Sequence, residues 1–357
     1  MDNQNFINAL KLVRPAIIDI DYLPSLRSFS FDGKTVTGYN DSIGIEVTCD
    51  VPLDAVIDGF RLSDLVNSGL FGKLKFDQKD EQVTIKCGKT RLDLPIFPRE
   101  EYIFDMPSTP LLAEECHEID PVFTHALEAC LLSVDDKLNH PEMRGVTVSI
   151  AKGEGLAFYS TDIKSISMCV VDTDDPNITI DGVLFPTAFC KTLLNLIEQL
   201  KDVDPQPLLY IRDDHFLCVW DDKNSKTVCK LFGRRVQVDE PLDFEQEIAN
   251  CLDTYNINKL TPVSETLTIA LDRALILGGK DCWTQIDISK GKATLETGTM
   301  HGNVEDELKF EHTNISTTVF PSTIRKAFAY GNKITFSQNW TFVGDGENFL
   351  YISANKT

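Results

Sequence analysis

A threefold internal repeat constrains this chain more than any other feature of its sequence. Three segments each begin with an amphipathic helix pattern, NFINALKLVRPA, DPVFTHALEACLLSV and SETLTIALDRALILGG. In each segment the apolar residues then change from helical spacing to the alternation of period two that is typical of strands. A second helix pattern and a strand meander follow, as in DGFRLSDLVNSGLFG, TAFCKTLLNLIEQL and PSTIRKAFAYG. The sequence therefore predicts three similar units, each with two helices and about eight strands.

The units are expected to span residues 1–112, 113–243 and 244–357, because proline and acidic residues cluster near the two joins. A sheet of that size with helices packed on one face is an α+β architecture. Each helix then has a core stripe, such as Phe189, Leu193, Ile197 and Leu200, and a second face that is left for solvent or a partner.

The charge of the chain restricts how it could bind nucleic acid. Fifty-five acidic and 34 basic residues give a formal net charge of −21, which argues against a uniformly basic surface. A protein that confines its positive charge to one face is not excluded. Seven basic residues lie on or beside the repeated helices, and in so acidic a chain this grouping is less expected by chance. They are Lys11, Arg14, Arg61, Lys137, Lys191, Arg325 and Lys326.

The ten cysteines are spread along the chain without a CxxC pair, and most stand among apolar residues. This usage is typical of buried thiols in a reducing compartment rather than of a disulfide framework. We expect a cytoplasmic protein without a membrane span, since no apolar run approaches the ~18 residues that a span requires and the first residues do not resemble a signal peptide.

Tests for catalytic motifs are negative. GKT occurs twice, but the glycine that a phosphate-binding loop requires five residues before GK is replaced by Ser28 and Val83. Paired acids at 135/136, 174/175, 213/214 and 221/222 raise the possibility of a metal-dependent nuclease. The last two pairs bracket HFLCVW, however, and are better explained as the turns at the ends of one strand. We expect a protein that is not an enzyme and needs no metal or cofactor.

The aligned repeats resemble the bacterial sliding clamp, the beta subunit of the replicative DNA polymerase III. The resemblance covers essentially the whole chain and is carried by DYLPSLRSFSFDGKTVTGYNDSIGIEV, HPEMRGVTVSIAKGEGLAFYSTDIKSIS and VLFPTAFCKTLLNLI. It implies three repeated clamp domains with the DNA clamp fold. It further implies a homodimer that closes head to tail into a ring, with helices lining a hole through which duplex DNA passes without sequence readout. The basic residues of the helices would then face the DNA.

The resemblance also implies partners that bind through short peptide motifs, namely a DNA polymerase and a clamp loader. The family pocket that receives these peptides contains TDGHRLA, and this chain has TDIKSIS, so the Gly, His and Arg are replaced by Ile163, Lys164 and Ser165. Such departures are typical of a divergent or phage-encoded clamp with its own polymerase. The implied pocket residues are Met143, Thr161, Ile163, Lys164, Ile166, Leu350, Tyr351 and Ile352.

For ring closure, the resemblance places a first-unit edge strand against a helix end and an acidic strand of the third unit. The implied contact residues are Lys89, Arg91 and Leu92 on one side and Ile276, Leu277, Glu305 and Glu307 on the other. Ile276 and Leu277 are alternatively only the core end of their helix. A second interpretation of the whole chain is a protein-interaction scaffold that keeps the clamp fold but does not encircle DNA.

Overall fold

The computed structural model describes residues 3–20, 22–68, 73–79, 81–110, 116–151, 155–172, 180–202, 206–222, 227–238, 242–252, 260–300 and 302–356. Helices and antiparallel strands alternate along the chain, as the repeat predicts. The α-helices are α1 (Asn3–Val13), α2 (Pro24–Arg27), α3 (Gly59–Asn67), α4 (Pro121–Cys130), α5 (Thr187–Gln199), α6 (Phe244–Leu252), α7 (Glu265–Gly278) and α8 (Pro321–Ala327). All six predicted helices are present, and α2 and α6 were not predicted.

The strands follow the order of the predicted repeats. Those of the first repeat are β1 (Ser28–Asp32), β2 (Thr35–Tyr39), β3 (Ile43–Thr48), β4 (Asp54–Asp58), β5 (Leu74–Lys79), β6 (Gln82–Cys87) and β7 (Thr90–Phe97). Those of the second are β8 (Cys116–Glu118), β9 (Gly145–Ile150), β10 (Gly155–Thr161), β11 (Ser165–Asp172), β12 (Val183–Pro186), β13 (Leu208–Ile211), β14 (His215–Asp221) and β15 (Thr227–Arg234). Those of the third are β16 (Thr261–Pro262), β17 (Thr284–Ser289), β18 (Lys292–Thr299), β19 (Gly302–Lys309), β20 (Ile315–Val319), β21 (Lys333–Phe336), β22 (Trp340–Gly344) and β23 (Phe349–Ala354).

The chain forms two compact units that cut across the predicted repeats. Unit 1 contains residues Met1–Asp120 and Ala188–Val236, and unit 2 contains Pro121–Thr187 and Gln237–Thr357. The predicted join at 112/113 falls within residues 111–115, outside the described residues, whereas the join at 243/244 coincides with the start of α6. The division into three repeated domains is a property of the sequence pattern and stays a prediction.

Unit 1 is built on one antiparallel sheet of eleven strands in the order β5-β6-β7-β4-β1-β2-β3-β15-β14-β13-β8. The pairing of β3 with β15 joins strands of the first and second repeats, from Cys229 opposite Val47 to Gly233 opposite Ile43. Because this pairing satisfies the backbone groups of two potential sheet edges, the sheet continues from one repeat into the next.

Helix α1 packs on one face of this sheet. Residues opposite one another in neighbouring antiparallel strands point to the same face, and Gly38, Ile45 and Leu231 are successive opposite residues. A Cβ placed on Gly38 would lie 2.8 Å from the side chain of Val13 in α1. The close approach of α1 therefore requires glycine at this position.

Helices α3 and α5 pack on the same face as α1. Gly233 lies two residues beyond Leu231, and a Cβ there would overlap the ring of Phe189 in α5. Phe29 lies opposite Gly38, and a Cβ on Gly59 in α3 would be 3.0 Å from its ring. Three helices from two repeats thus share one face of a single sheet.

The core stripe of α5 differs by one residue from the prediction. Phe189, Leu193, Leu196 and Leu200 are buried, and Ile197 is half-exposed. A stripe at i, i+4, i+7 and i+11 follows the 3.6-residue period of the helix more closely than the predicted spacing does.

Unit 2 contains a sheet of eight strands, β12-β9-β10-β11-β23-β22-β21-β16, and a second sheet of four, β19-β18-β17-β20. The pairing of β11 with β23 joins the second repeat to the third, with Ile166 opposite Ile352. Helix α4 packs on β10 and β11, and α8 packs on β22 and β23. Ser264 caps the start of α7, where its hydroxyl accepts from Leu267 N, and Gly279 caps its end with a φ of 73°.

All ten cysteines lie in the described part of the chain and are present as thiols, nine of them buried. No described helix has both the length and the apolar character that a membrane crossing requires.

Candidate functional site

An apolar cavity of about 320 Å³ lies in unit 2, on the face of the eight-stranded sheet that carries α6. Four of the pocket residues predicted from the sequence line it: Met143, Thr161, Ile163 and Ile166. The remaining described lining residues are Ser165, Leu242, Phe244, Glu247, Asn250, Cys251 and Trp340.

The turn between β10 and β11 forms one wall of the pocket, and Asp162 holds it in shape. Asp162 Oδ1 accepts from the backbone N–H groups of Lys164 at 3.0 Å and Ser165 at 2.7 Å. Thr161 Oγ1 donates to the Ser165 carbonyl at 2.8 Å and accepts from Ile163 N at 3.2 Å. The turn thereby holds Ile163 at a φ of 74° with 61% of the residue exposed.

Ser165 connects this turn to a buried hydroxyl network on the other face of the sheet. Its Oγ lies 2.9 Å from both Ser133 Oγ and Asp162 Oδ1, and Ser133 Oγ lies 2.7 Å from Ser167 Oγ. Its hydroxyl is therefore used within the fold, although Ser165 stands where the clamp pattern has arginine.

The floor of the pocket is a cluster of buried residues on facing elements. It contains Ile166, Phe244, Ile248, Cys251, Phe342, Leu350 and Ile352. Leu350 and Ile352 thus support the pocket from below rather than line it.

Two predicted pocket residues do not belong to the pocket. Tyr351 lies between Leu350 and Ile352 in β23, so its side chain points to the opposite face, where it is buried. Burial raises the pKa of the Tyr351 phenol, and hydrogen bonding with Ser165 and Thr323 opposes that shift. Lys164 is exposed in the turn and is not among the residues that line the cavity.

Helix α6 supplies the wall that sequence analysis missed. The segment DFEQEIANCL carries the sequence signal of a helix, namely an N-cap aspartate followed by Phe244, Ile248 and Cys251 at helical spacing. In the structure Asp243 Oδ1 accepts from Gln246 N at 3.0 Å. The proline and acidic residues of the same segment instead indicate a join between two repeats.

A thiol on this wall and a phenol packed against it are shifted toward their neutral forms. Burial raises the pKa of the Cys251 thiol, and Glu247 adds to the shift. Burial likewise raises the pKa of Tyr159, whose ring stacks on Phe244 with centroids 5.3 Å apart. A thiol with a raised pKa stays protonated at neutral pH and is a weak nucleophile.

The basic residues predicted to face DNA fall into three groups. Lys11 on α1, Lys191 on α5 and Lys326 on α8 have exposed side chains. Lys137 is exposed in a turn beyond α4, where its backbone N–H donates to Asp135 at 2.9 Å.

The three arginines are engaged with neighbouring side chains. The guanidinium of Arg14 lies 3.5 Å from the ring centroid of Phe60, and burial lowers its pKa while Asp64 and Asp19 oppose the shift. Arg61 Nε lies 3.5 Å from Asp58, and Arg325 Nε donates to Asp272 at 2.8 Å.

Four of the residues predicted to close a ring lie on stretches of strand that, within the described residues, pair on one side only. Strand β7 pairs with β4 only at Ile96 and Phe97, so the part that carries Arg91 and Leu92 pairs on one side with β6 alone. Strand β19 is an edge strand of the four-stranded sheet, with Glu305 and Glu307 exposed. Lys89 is exposed in the turn that leads into β7.

The end of α7 presents apolar side chains beside β19. Ile276 is 85% exposed, and Leu277 Cδ1 lies 3.9 Å from the position of a Cβ on Gly302, the first residue of β19. Met300, just before that strand, is 92% exposed and was not predicted. The burial of Ile276 in its own helix core, which was the alternative, is thus wrong, and Leu277 is half-buried.

Among the described residues, no group of three or more His, Cys, Asp or Glu side chains is arranged to hold a metal ion. Asp213 and Asp214 lie in the turn that precedes β14, as predicted, whereas Asp221 is the last residue of that strand and Asp222 follows it. The pair at 174/175 lies outside the described residues.

Comparison with known structures identifies the fold. A candidate DNA polymerase III beta subunit from Eubacterium rectale superposes with a TM-score of 0.82 at 15% identity, over 99% of this chain and 97% of that one. A sliding clamp from Caulobacter crescentus gives a TM-score of 0.81 at 16% identity, over 100% and 98% of the two chains. The beta subunit of DNA polymerase from Streptococcus pyogenes gives 0.79 at 15% identity, over 100% and 98%.

No family model matches the sequence, and no curated protein matches it. The chain therefore has the fold of the DNA polymerase III beta sliding clamps over its whole length, with a strongly diverged sequence. The predicted α+β clamp fold is confirmed.

Proposed function

We propose that the protein is a non-catalytic sliding clamp that encircles duplex DNA and tethers a DNA polymerase. The observation that supports this most directly is the arrangement of helices on continuous sheets. In unit 1, α1, α3 and α5 share one face of an eleven-stranded sheet, and Lys11 and Lys191 are exposed on two of them. Such a face would meet DNA at many phosphates without reading bases.

The acidic body of the protein is consistent with sliding. With a net charge of −21, most of the surface repels DNA, and attraction is limited to the basic helix faces. A closed ring stays on DNA because it is linked to it, so a tight grip on phosphates is unnecessary and would slow movement. We expect weak, salt-sensitive affinity for short open fragments.

Ring closure is proposed to occur head to tail between two copies. The part of β7 that carries Arg91 and Leu92 would pair with the edge strand β19 of the other copy, which would satisfy backbone groups that edges leave unpaired. Ile276, Leu277 and Met300 would supply apolar contact area. Lys89 and Arg91 would face Glu305 and Glu307. These pairs would mainly fix the register of the two strands, because exposed ion pairs contribute only ~0–1 kcal/mol each and add little to the affinity.

The apolar pocket is proposed to bind a short peptide segment of the polymerase and of the clamp loader. The pocket suits a side-chain anchor from an extended peptide, because it has an adequate volume, an apolar floor and the exposed Ile163 in its lining. One structure of a Caulobacter crescentus clamp holds a polyethylene glycol at a region assigned to beta-motif tethering.

A DNA-retention experiment tests the proposal. Diluted protein is concentrated with nicked circular plasmid so that rings re-form around the DNA, and the mixture is then filtered through a sizing column in high salt. Protein should co-elute with the circle and be lost after a restriction enzyme linearises it. Equal retention on linear and circular DNA, or none on either, would favour the alternative of a clamp-fold scaffold that does not encircle DNA.

A further inference from the structure

The wall of the pocket that α6 forms carries a charged side chain. Glu247 on α6 is the one charged side chain among the described residues that line it. Its side chain is exposed, and its carboxylate forms no ion pair with another described residue. The backbone N–H of Glu247 donates to Asp243, so the helix holds the position of this residue.

The other polar lining groups are already engaged inside the fold. Thr161 and Ser165 are hydrogen-bonded within the β10–β11 turn and the serine network. Asn250 Oδ1 accepts from Gln246 Nε2 at 2.9 Å, which leaves its N–H groups to donate to a ligand carbonyl. An incoming segment therefore meets apolar walls, an amide and one carboxylate.

Basic side chains near the pocket do not neutralise this carboxylate within the described residues. Arg144 follows Met143, but its Nε donates to the Leu138 carbonyl at 2.5 Å. Lys164 is exposed in the neighbouring turn and lies outside the lining. Where the clamp pattern has arginine, this chain has Ser165.

We propose that the pocket selects an extended peptide that carries an aliphatic or aromatic anchor and a lysine or arginine about two residues from it. The inference deepens the proposed function, since it rests on the pocket being a peptide site and assigns its charge preference to Glu247. The carboxylate attracts a basic side chain of the peptide and repels an acidic one.

The spacing follows from helix and strand geometry. Glu247 and Cys251 are four residues apart on α6, which puts them about 6 Å apart on one face. An extended peptide advances about 3.3 Å per residue, so two residues cover that distance. An anchor over the Cys251 end of the pocket thus places a basic residue at Glu247.

A peptide selection tests the inference. A phage library of random heptapeptides is selected on the wild-type protein, on Glu247→Lys and on Glu245→Lys. Glu245 provides a matched control because it is an exposed acid on the same helix that does not line the pocket. Thermal unfolding of all three proteins checks that each is folded. The best wild-type peptide and its basic-to-Glu counterpart are then compared by fluorescence anisotropy.

We expect wild type and Glu245→Lys to select anchors flanked by lysine or arginine, and Glu247→Lys to lose that enrichment or select acids. The charge-reversed peptide should bind wild type about three- to tenfold more weakly and should recover affinity on Glu247→Lys. Enriched peptides without a basic preference, or with the same preference on all three proteins, would overturn the assignment to Glu247. Selection of no peptide by any folded variant would instead contradict the peptide-binding function itself.

Discussion

At the scale of single residues, Ile163 combines an unfavourable backbone conformation with an exposed apolar side chain. A β-branched residue at a φ of 74° is strained, and 61% of Ile163 is exposed at the pocket rim. We expect Ile163→Gly to raise the free energy of unfolding by about 1 kcal/mol in urea denaturation, since glycine tolerates this φ. The same change should weaken peptide binding, because the apolar wall is lost.

The variant Ile163→Asn separates the two effects, since asparagine tolerates the left-handed region but presents a polar side chain. The free energy of unfolding of Ile163→Asn should lie closer to that of Ile163→Gly than to that of wild type. Ile163→Asn should also bind peptide weakly. A glycine variant that is less stable than wild type would show that the turn does not strain Ile163.

Arg14 illustrates a basic residue whose contacts stabilise the fold. Its guanidinium stacks on Phe60 and joins the end of α1 to α3. Arg14→Ala is expected to lower the free energy of unfolding by about 1 kcal/mol, as a partly buried cation–π contact contributes. Lys11→Ala, at an exposed site in the last turn of α1, should change the free energy of unfolding by less than about 0.5 kcal/mol. Equal effects in urea denaturation would contradict this distinction.

At the scale of elements, Asp345 holds the turn between β22 and β23 and so positions the strand that supports the pocket floor. Its Oδ1 accepts from the N–H groups of Glu347 at 2.8 Å and of Asn348 and Phe349 at 2.9 Å. Burial of Asp345 acts to raise the pKa of its carboxyl, but these backbone hydrogen bonds outweigh it and the pKa is lowered.

A pKa that is lower in the folded state stabilises the protein above the unfolded value, and the contribution is lost as pH falls through the folded value. Asp345→Asn should therefore lower the free energy of unfolding by about 1 kcal/mol at neutral pH, which is the contribution of a charge-assisted hydrogen bond. The difference from wild type should narrow once the pH drops below about 4, the unfolded pKa of aspartate. Urea denaturation from pH 3 to pH 7 measures it, and a difference that is independent of pH would contradict the role of the charge.

At the scale of the whole molecule, exposed helix lysines are expected to govern contact with DNA. The triple variant Lys11→Glu, Lys191→Glu and Lys326→Glu should lose retention on nicked circles while keeping its thermal stability, because it makes the helix faces acidic. The control variant reverses three exposed loop lysines, Lys34, Lys73 and Lys290, for the same change in net charge. Equal loss in both variants would indicate a nonspecific effect of net charge.

Assembly should depend on the apolar end of α7. Ile276→Lys is expected to give a folded monomer near 40 kDa in sedimentation, whereas wild type is expected to sediment at twice that mass. Ile269→Lys provides a control at another exposed position of the same helix, 40% exposed, and should stay dimeric. A monomeric wild type at micromolar concentration would show that the proposed ring does not form.

Periodicity determined the six repeated helices and the α+β class, because a core stripe at 3.6-residue spacing and strands of period two are local properties of the chain. The clamp fold was implied by the resemblance of the repeats to the sliding clamps. Tertiary packing decided which side chains meet. The stacking of Arg14 on Phe60 and the pairing of Arg325 with Asp272 join residues 46 and 53 positions apart, which no local pattern encodes. The alternation of β23 put Tyr351 on the face opposite Leu350 and Ile352, and the folding of α6 against β11 and β22 created the wall that carries Glu247. The charge of the pocket therefore depends on a helix whose place in the fold is set by long-range contacts.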